Sequence, residues 1–284
     1  LLLATTIMTV RIEKHIEAKN AEQTAIDLLA EHTALSKSQL KAAMSNGAVW
    51  LESQHGIQRI RRAKKALKPG DTLHLYYDGV IQAQAPDAAA LVADEGSYSI
   101  WNKPYGMYSQ GSKWGDHCTI YRWAEQHLKP LRPAYPVHRL DRAANGLIVL
   151  AHNKKTARAF LQMFRQHTIT KRYRAIVEGD LSDLKLPFVI DRELDGKAAE
   201  SVILEAEFSP DESTTTVLIE ISTGRKHQIR RHMASIGHPV VGDRLYGAGE
   251  PAKNLQLSAI YLSFVCPVDN RRHSYSLDQA RAGD

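Results

Sequence analysis

Cysteine is nearly absent from this chain of 284 residues: Cys118 and Cys266 stand far apart, and neither has a Cys-x-x-Cys partner. That argues against a disulfide framework and indicates no zinc site. No run of apolar residues approaches the ~20 needed to span a bilayer, and Leu1 to Val10 lacks the basic start and apolar length of a secretory signal. A cytoplasmic protein without a membrane partner is expected. Leu1 to Ile7 precede Met8 without periodicity and are read as an extension outside the fold. Internal repeats are also missing. The length suits two domains.

What the chain does have is base, unevenly placed. The formal net charge is +6, yet between Ser36 and Gly70 alone eight Lys and Arg face the single acid Glu52, a local excess of +7. A concentrated basic patch is the mark of a surface that neutralises phosphates, so RNA is the expected partner, with Lys37, Lys41, Arg61 and Arg62 as candidate contacts. Around it, Asn20 with Gln23 and Ser36 with Gln39 read as capping boxes. They open helices over about 21–32 and from Ser36 to the stop at Gly47. Strands follow at 48–52 and along Leu73, Leu75 and Tyr77, after a Pro69-Gly70-Asp71 turn. Residues 83–94, low in complexity and broken by Pro86, read as a linker.

Beyond the linker the pattern turns to strands. Tyr98 onward is a short strand halted at Asn102-Lys103-Pro104, and 122–128 reads as a brief helix. The stretch Pro136 to Ala151 then sets His138, Arg139, Asp141 and Arg142 directly before an uninterrupted apolar run, which places charged groups at the mouth of a buried strand. Asn153 caps the next helix. The strand 168–178 puts Lys171 and Tyr173 on one face, 200–208 and 214–222 are further strands, a helix spans about 226–236, and a last strand runs over 257–265. Many strands without regular βαβ alternation predict an α+β domain with a largely antiparallel sheet.

Asp141 lies between two arginines, where neighbouring cations favour an anion over an acid. A carboxylate so placed can act as a nucleophile at a sugar anomeric carbon or stabilise positive charge there. A surface Arg-Asp-Arg ion pair is the plainer reading of that spacing alone. Glycoside hydrolysis needs a second carboxylate as general acid, and none stands comparably placed.

Together, Asn102-Lys103-Pro104-x-Gly106, the His138-Arg139-Leu140-Asp141 signature continuing to Ala151, Lys171-Arg172-Tyr173, and Thr223 to His232 with Gly242-Asp243 beyond resemble, in this order, the motifs of the RluA-type RNA pseudouridine synthases. Asn145 departs from the Ser or Thr common in that family. The segment Ser36 to Glu52 is similar to the S4-like RNA-binding module. The resemblance implies an S4-like α/β domain over residues 8–82 and a pseudouridine synthase-like catalytic domain over 95–275 with a mixed, largely antiparallel sheet. It implies Asp141 as catalytic nucleophile, Tyr173 packing against the target base, Arg230 pairing with the carboxylate, and Arg139 in nucleotide extrusion. Arg225, His227 and Lys103 are expected at the RNA, and His138 is expected to be structural. The implied reaction is an isomerisation of uridine that needs no cofactor and no metal. Ribosomal RNA is the favoured substrate with transfer RNA the alternative, and the protein is expected to be a monomer. The competing expectation is a noncatalytic RNA-binding or ribosome-associated protein.

Overall fold

Ser36 accepts a hydrogen bond from the Gln39 backbone N–H while the Gln39 side chain accepts from that of Ser36, so the expected capping box is formed and starts helix α2 (Lys37–Ser45). The computed structural model describes residues 10–20, 23–249 and 253–277; the extension expected over Leu1 to Ile7 lies outside them. Helix α1 (Ala25–His32) begins later than expected, because Thr24 rather than Asn20 is its cap and accepts from the Asp27 N–H. Ahead of both lies a strand that the sequence reading missed, β1 (Arg11–Glu17), in which only Ile16 is buried. Strands β2 (Val49–Ser53), β3 (Gly56–Arg59) and β4 (Thr72–Asp78) complete an antiparallel sheet of order β1-β4-β2-β3, and the single turn α3 (Gly79–Gln82) follows. Strand β4 alternates Leu73, Leu75 and Tyr77 inward, against Leu29, Leu40, Met44, Val49 and Leu51. Truncating any one of these leucines to alanine costs about 2–5 kcal/mol.

This first compact unit takes in the residues up to Pro86 together with Gln110–Trp123; the second takes Asp87–Ser109 and the residues from Ala124 on. The expected contiguous domain over 95–275 is therefore interrupted. The physical reason is Asp116, only 2% exposed, whose two carboxylate oxygens accept from Arg61 Nη2 at 2.9 and 2.6 Å and whose Oδ2 lies 3.3 Å from Arg59 Nη1. Gly47 lets it in: a Cβ there would stand 2.3 Å from Asp116 Oδ1, and its φ of +79° is left-handed as well.

The second unit is built on a ten-stranded sheet of order β10-β11-β12-β9-β13-β8-β6-β5, with β7 and β14 attached to its side. Its first strand, β5 (Ala90–Asp94), corrects the linker reading: mostly exposed side chains disguise an edge strand paired with β6 (Tyr98–Lys103). After helix α4 (Ile120–His127) come β7 (Tyr135–Pro136), β8 (Asn145–Ala151), α5 (Lys154–Arg165, capped by Asn153), β9 (Thr170–Glu178) and β10 (Phe188–Asp191). Strands β11 (Glu200–Ser209) and β12 (Thr214–Ile221) precede helix α6 (Gln228–Ser235), and β13 (Leu257–Val265) and β14 (Arg272–Ser276) close the unit. Every pair is antiparallel among the described strands except β8 with β13, as the expected α+β class requires. The apolar run of β8 is wholly buried from Gly146 to Ala151, and Val149, Phe160, Leu262 and Phe264 are part of the core beside it.

Candidate active site

The loop from His138 to Ala144 carries Asp141 into β8, and almost every residue around the aspartate is tied down. His138 Nε2 accepts the Val149 N–H at 2.9 Å and its ring stacks on Phe164 at 4.4 Å. Burial, with Lys171 nearby, holds the imidazole well below its usual pKa, so it serves as a neutral strut. Ser109 Oγ donates to Leu140 O at 2.7 Å and accepts from Leu140 N at 2.9 Å. The Lys103 ammonium donates to the carbonyls of Pro104, Met107 and Ala144 at 3.0, 2.9 and 2.6 Å. Lys103 was expected to touch RNA, but it is fully buried. A lysine with all three N–H bonds on backbone carbonyls fastens the Asn102 to Met107 turn to the Asp141 loop. Burial pulls its pKa down to about 8, against the opposing pull of Asp141.

Gly146, five residues after Asp141, makes the parallel pairing possible. Its φ is +114°, and a Cβ there would stand 2.3 Å from Ala259 O and 2.5 Å from Ala259 N. The glycine of the sequence signature is therefore required by the close backbone approach of β8 and β13.

The cation that meets Asp141 is neither sequence neighbour. Arg142 donates to Gly106 O and lies over the Tyr108 ring. Arg230, on the first turn of α6, brings Nη1 to 3.5 Å from Asp141 Oδ2. Its other two nitrogens hold Asp243, Nε to Oδ2 and Nη2 to Oδ1, both at 2.7 Å. Burial opposes charge on either member of this pair. The guanidinium and the Leu245 and Tyr246 N–H groups outweigh it and keep the Asp243 carboxyl below its ordinary range.

His227, expected as an RNA contact, stands beside the carboxylate: Nε2 is 3.8 Å from Asp141 Oδ1, and Nδ1 is 3.0 Å from the Tyr246 hydroxyl. Its backbone is left-handed, φ +54°, with no side-chain cap to α6. A non-glycine residue holds that conformation at a cost, and here it aims the ring into the site. Burial lowers its pKa despite Asp141, so the ring is mostly neutral at pH 7. The sequence reading did not single out Asp243 and Tyr246 for these roles, although Gly242-Asp243 stood among its motifs.

Asp141 opens on a cavity of about 240 Å³ lined by Tyr173, Ile221, Arg225, His227 and Leu257, with Arg139 exposed at its edge. This slot is small against the usual small-molecule pocket, and a neighbouring cavity of about 410 Å³ is also lined by Asp141 and His227, with Arg230. Asp141 is the sole acid among the lining residues of the slot, whereas a conventional glycosidase uses two carboxyl groups. Tyr173 lies on β9 at 9% exposure, its hydroxyl pushed above the ordinary phenol pKa by burial and by Asp141. Lys171, two residues before it, turns its ammonium to Thr223 O at 3.0 Å, and burial lowers its pKa to about 8. Arg225 donates through Nε to Ala198 O and keeps a place on the cavity wall.

In the first unit the expected RNA contacts divide. Arg61 donates to Asp116 and to Ser45 O and is only partly exposed. Lys37 pairs with Asp27 at 2.8 Å while remaining exposed. Lys41 and Arg62 are exposed, as are Lys64, Lys65 and Lys68.

A largely antiparallel sheet with one parallel contact, and a lone carboxylate faced by an arginine over a tyrosine-floored slot, define a class that comparison with known proteins names. The RNA pseudouridylate synthase family matches residues 97–235. The tRNA pseudouridine synthase C of Vibrio parahaemolyticus is 32% identical over 217 residues, covering 66% of this chain and 88% of that protein. The dual-specificity RNA pseudouridine synthase RluA of Salmonella typhimurium is 34% identical over 201 residues, covering 65% and 90%. Among solved structures, the human RNA pseudouridylate synthase domain containing 1 shares the fold, with a TM-score of 0.55 at 22% identity over 68% of this chain and 85% of that one. The chain belongs to the RluA-type RNA pseudouridine synthases. It is an isomerase that converts uridine in RNA to pseudouridine. Among the described residues no helix is long and apolar enough to cross a membrane.

Proposed function

We propose that Asp141 is the catalytic nucleophile, that Tyr173 packs against the target uracil and that Arg230 holds the carboxylate in its direction. The observation that carries this reading is the 3.5 Å approach of Arg230 to the only acid lining the slot. A uridine within folded RNA leaves its stack to reach such a slot. Arg139, exposed at the rim, is placed to fill the gap it leaves. With Asp141 engaged at the sugar, the bond from C1′ to N1 breaks, the uracil turns while held against Tyr173, and C5 bonds to C1′. The C5 proton leaves to water and N1, freed from the sugar, takes up one proton, so atoms balance without a transferred group. Arg225 and His227 border the ribose and its phosphate.

The first unit is the RNA grip, an S4-like module with a phosphate-binding face formed by Lys41, Arg62 and the exposed Lys64, Lys65 and Lys68. Lys37 adds charge at its edge. The substrate is structured ribosomal RNA, for which an added gripping module suits a large folded target, and the enzyme works as a cytoplasmic monomer. Transfer RNA is the second reading, favoured by the relatives whose names carry it.

The test is tritium release from RNA labelled at uridine C5, with ribosomal and transfer RNA assayed separately, using the wild type and Asp141→Asn. Release from ribosomal RNA by the wild type alone supports the whole reading. Release from transfer RNA only moves the substrate, and full turnover by Asp141→Asn removes the aspartate from its role.

A further inference from the structure

At the far end of β13 from the slot, about 30 Å away along nine strand residues, the turn into β14 gathers three side chains of metal-ligand type. The potential ligand atoms of Cys266, Asp269 and His273 all lie within 4.8 Å of one another. We propose that this turn is a zinc site, with Cys266 Sγ, Asp269 Oδ2 and His273 Nε2 as protein ligands and a water in the fourth position.

One edge of the group is close to that of a bound ion. Zinc bonds of about 2.3 Å to sulfur and about 2.0–2.2 Å to nitrogen and oxygen set tetrahedral edges of about 3.3–3.6 Å. His273 Nε2 and Asp269 Oδ2 are 3.0 Å apart, a few tenths short of such an edge. The remaining atoms are already directed by other bonds. Asp269 Oδ1 accepts the Arg271 N–H at 3.0 Å, which leaves Oδ2 facing the histidine. His273 Nδ1 meets the hydroxyls of Tyr98 and Tyr275 at 3.0 and 3.1 Å, and Tyr275 donates onward to Glu95 at 3.1 Å. That is the outer support by which a metal-bound imidazole has its tautomer and plane set through the nitrogen that does not bind.

Cys266 is 2% exposed, and its sulfur accepts the Val268 N–H at 3.4 Å, a contact that stabilises thiolate charge. The turn brings a second ligand back three residues after the first. Asn270 N–H donates to Cys266 O at 2.9 Å, and Asn270 itself is left-handed at φ +59°. A Cys-x2-Asp-x3-His spacing is one that a search for paired cysteines does not find, which is why cysteine usage indicated no zinc. A mixed sulfur, nitrogen and oxygen set favours zinc over magnesium or calcium. On binding, the thiol proton passes to solvent, and thiolate with carboxylate neutralises the ion. Asp269 is exposed, which gives the ion its way in. The site would join β13 and β14 to Tyr98 on β6, and it takes no part in the isomerisation.

The experiment uses the full chain after treatment with a chelator and desalting, titrated first with cobalt(II) and then with zinc. One equivalent of cobalt should produce thiolate-to-cobalt charge-transfer absorption, and zinc should abolish it. Cys266→Ser should lose the absorption while Cys118→Ser keeps it. Because Cys266 is buried, Asp269→Asn on an exposed residue is the variant that preserves the fold, with retained tritium release as the check, and it should weaken zinc at least ten-fold. Absence of a thiolate band in the wild type, a band surviving Cys266→Ser or lost with Cys118→Ser, or unchanged zinc affinity in Asp269→Asn would each overturn the proposal.

Discussion

Arg230 holds two carboxylates unequally: Asp243 through two bonds of 2.7 Å, Asp141 through one approach of 3.5 Å. The tight pair fixes the guanidinium, and the loose one leaves Asp141 available to a substrate. Asp243→Asn should release the guanidinium toward Asp141 and lower kcat on the order of 10²-fold, with little change in KM, as expected when a positioned group moves by about 1 Å. Asp243→Ala leaves a buried arginine without its main partner and should cost about 3–5 kcal/mol of stability. Single-turnover tritium release and urea unfolding read the two effects separately.

Tyr173 is buried, and its hydroxyl resists ionisation. Tyr173→Phe keeps the ring and should retain turnover within several-fold, with the alkaline limb of the rate profile unchanged. Tyr173→Leu loses the flat surface and should reduce turnover far more than RNA binding. A Phe variant as inactive as Leu would show that the hydroxyl, not the ring, is used.

Lys103 and Lys171 are both buried with pKa values pulled down to about 8 from 10.5. Above pH 8 the folded protein gives up these protons before the unfolded chain does, so the unfolded state binds more protons and stability rises with pH. The window closes near pH 10, where tyrosines such as Tyr173, raised in the folded state, begin to ionise in the unfolded chain and reverse the slope. Urea unfolding at pH 7.5, 8.5 and 9.5 should show the rise, up to about 1 kcal/mol per pH unit per lysine. Lys171→Met should remove its share of the slope.

Arg61 and Arg62 are adjacent and should behave oppositely. Arg62 is exposed on the basic face, so Arg62→Gln should weaken RNA binding and reduce the magnitude of its logarithmic salt slope by about 1. Arg61 is bound to Asp116. Arg61→Gln should leave the salt slope unchanged and lower the unfolding midpoint of the first unit, because a buried carboxylate loses its bidentate partner.

Local signals were the readable ones. The Ser36 capping box, the stop at Gly47, the alternation of β9 and the bounds of β13 follow from spacings of a few residues. Strands β1 and β5 were missed because their side chains are mostly exposed, so partner strands rather than an apolar pattern determine them. Asp141 and Tyr173 line the slot, and Arg230 reaches Asp141 at 3.5 Å. Lys103 was misassigned because a lysine's sequence neighbours do not reveal that three backbone carbonyls surround its ammonium. Arg61 was misassigned for the same reason, its partner Asp116 being 55 residues away. What stayed hidden in each case is a contact distant along the chain.

The one parallel pairing, Asn145 with Ser258 and Gly146 with Ala259, has a consequence for synthesis of the protein. Asp141, Tyr173 and Arg230 all leave the ribosome before Ser258 does, so a nascent chain can hold these three side chains while lacking the strand that completes the slot's wall at Leu257. Assembly of the reaction centre waits on a contact more than a hundred residues away along the chain. A chain stopped before Ser258 therefore carries Asp141, Tyr173 and Arg230 but lacks the strand that pairs with Asn145 and Gly146.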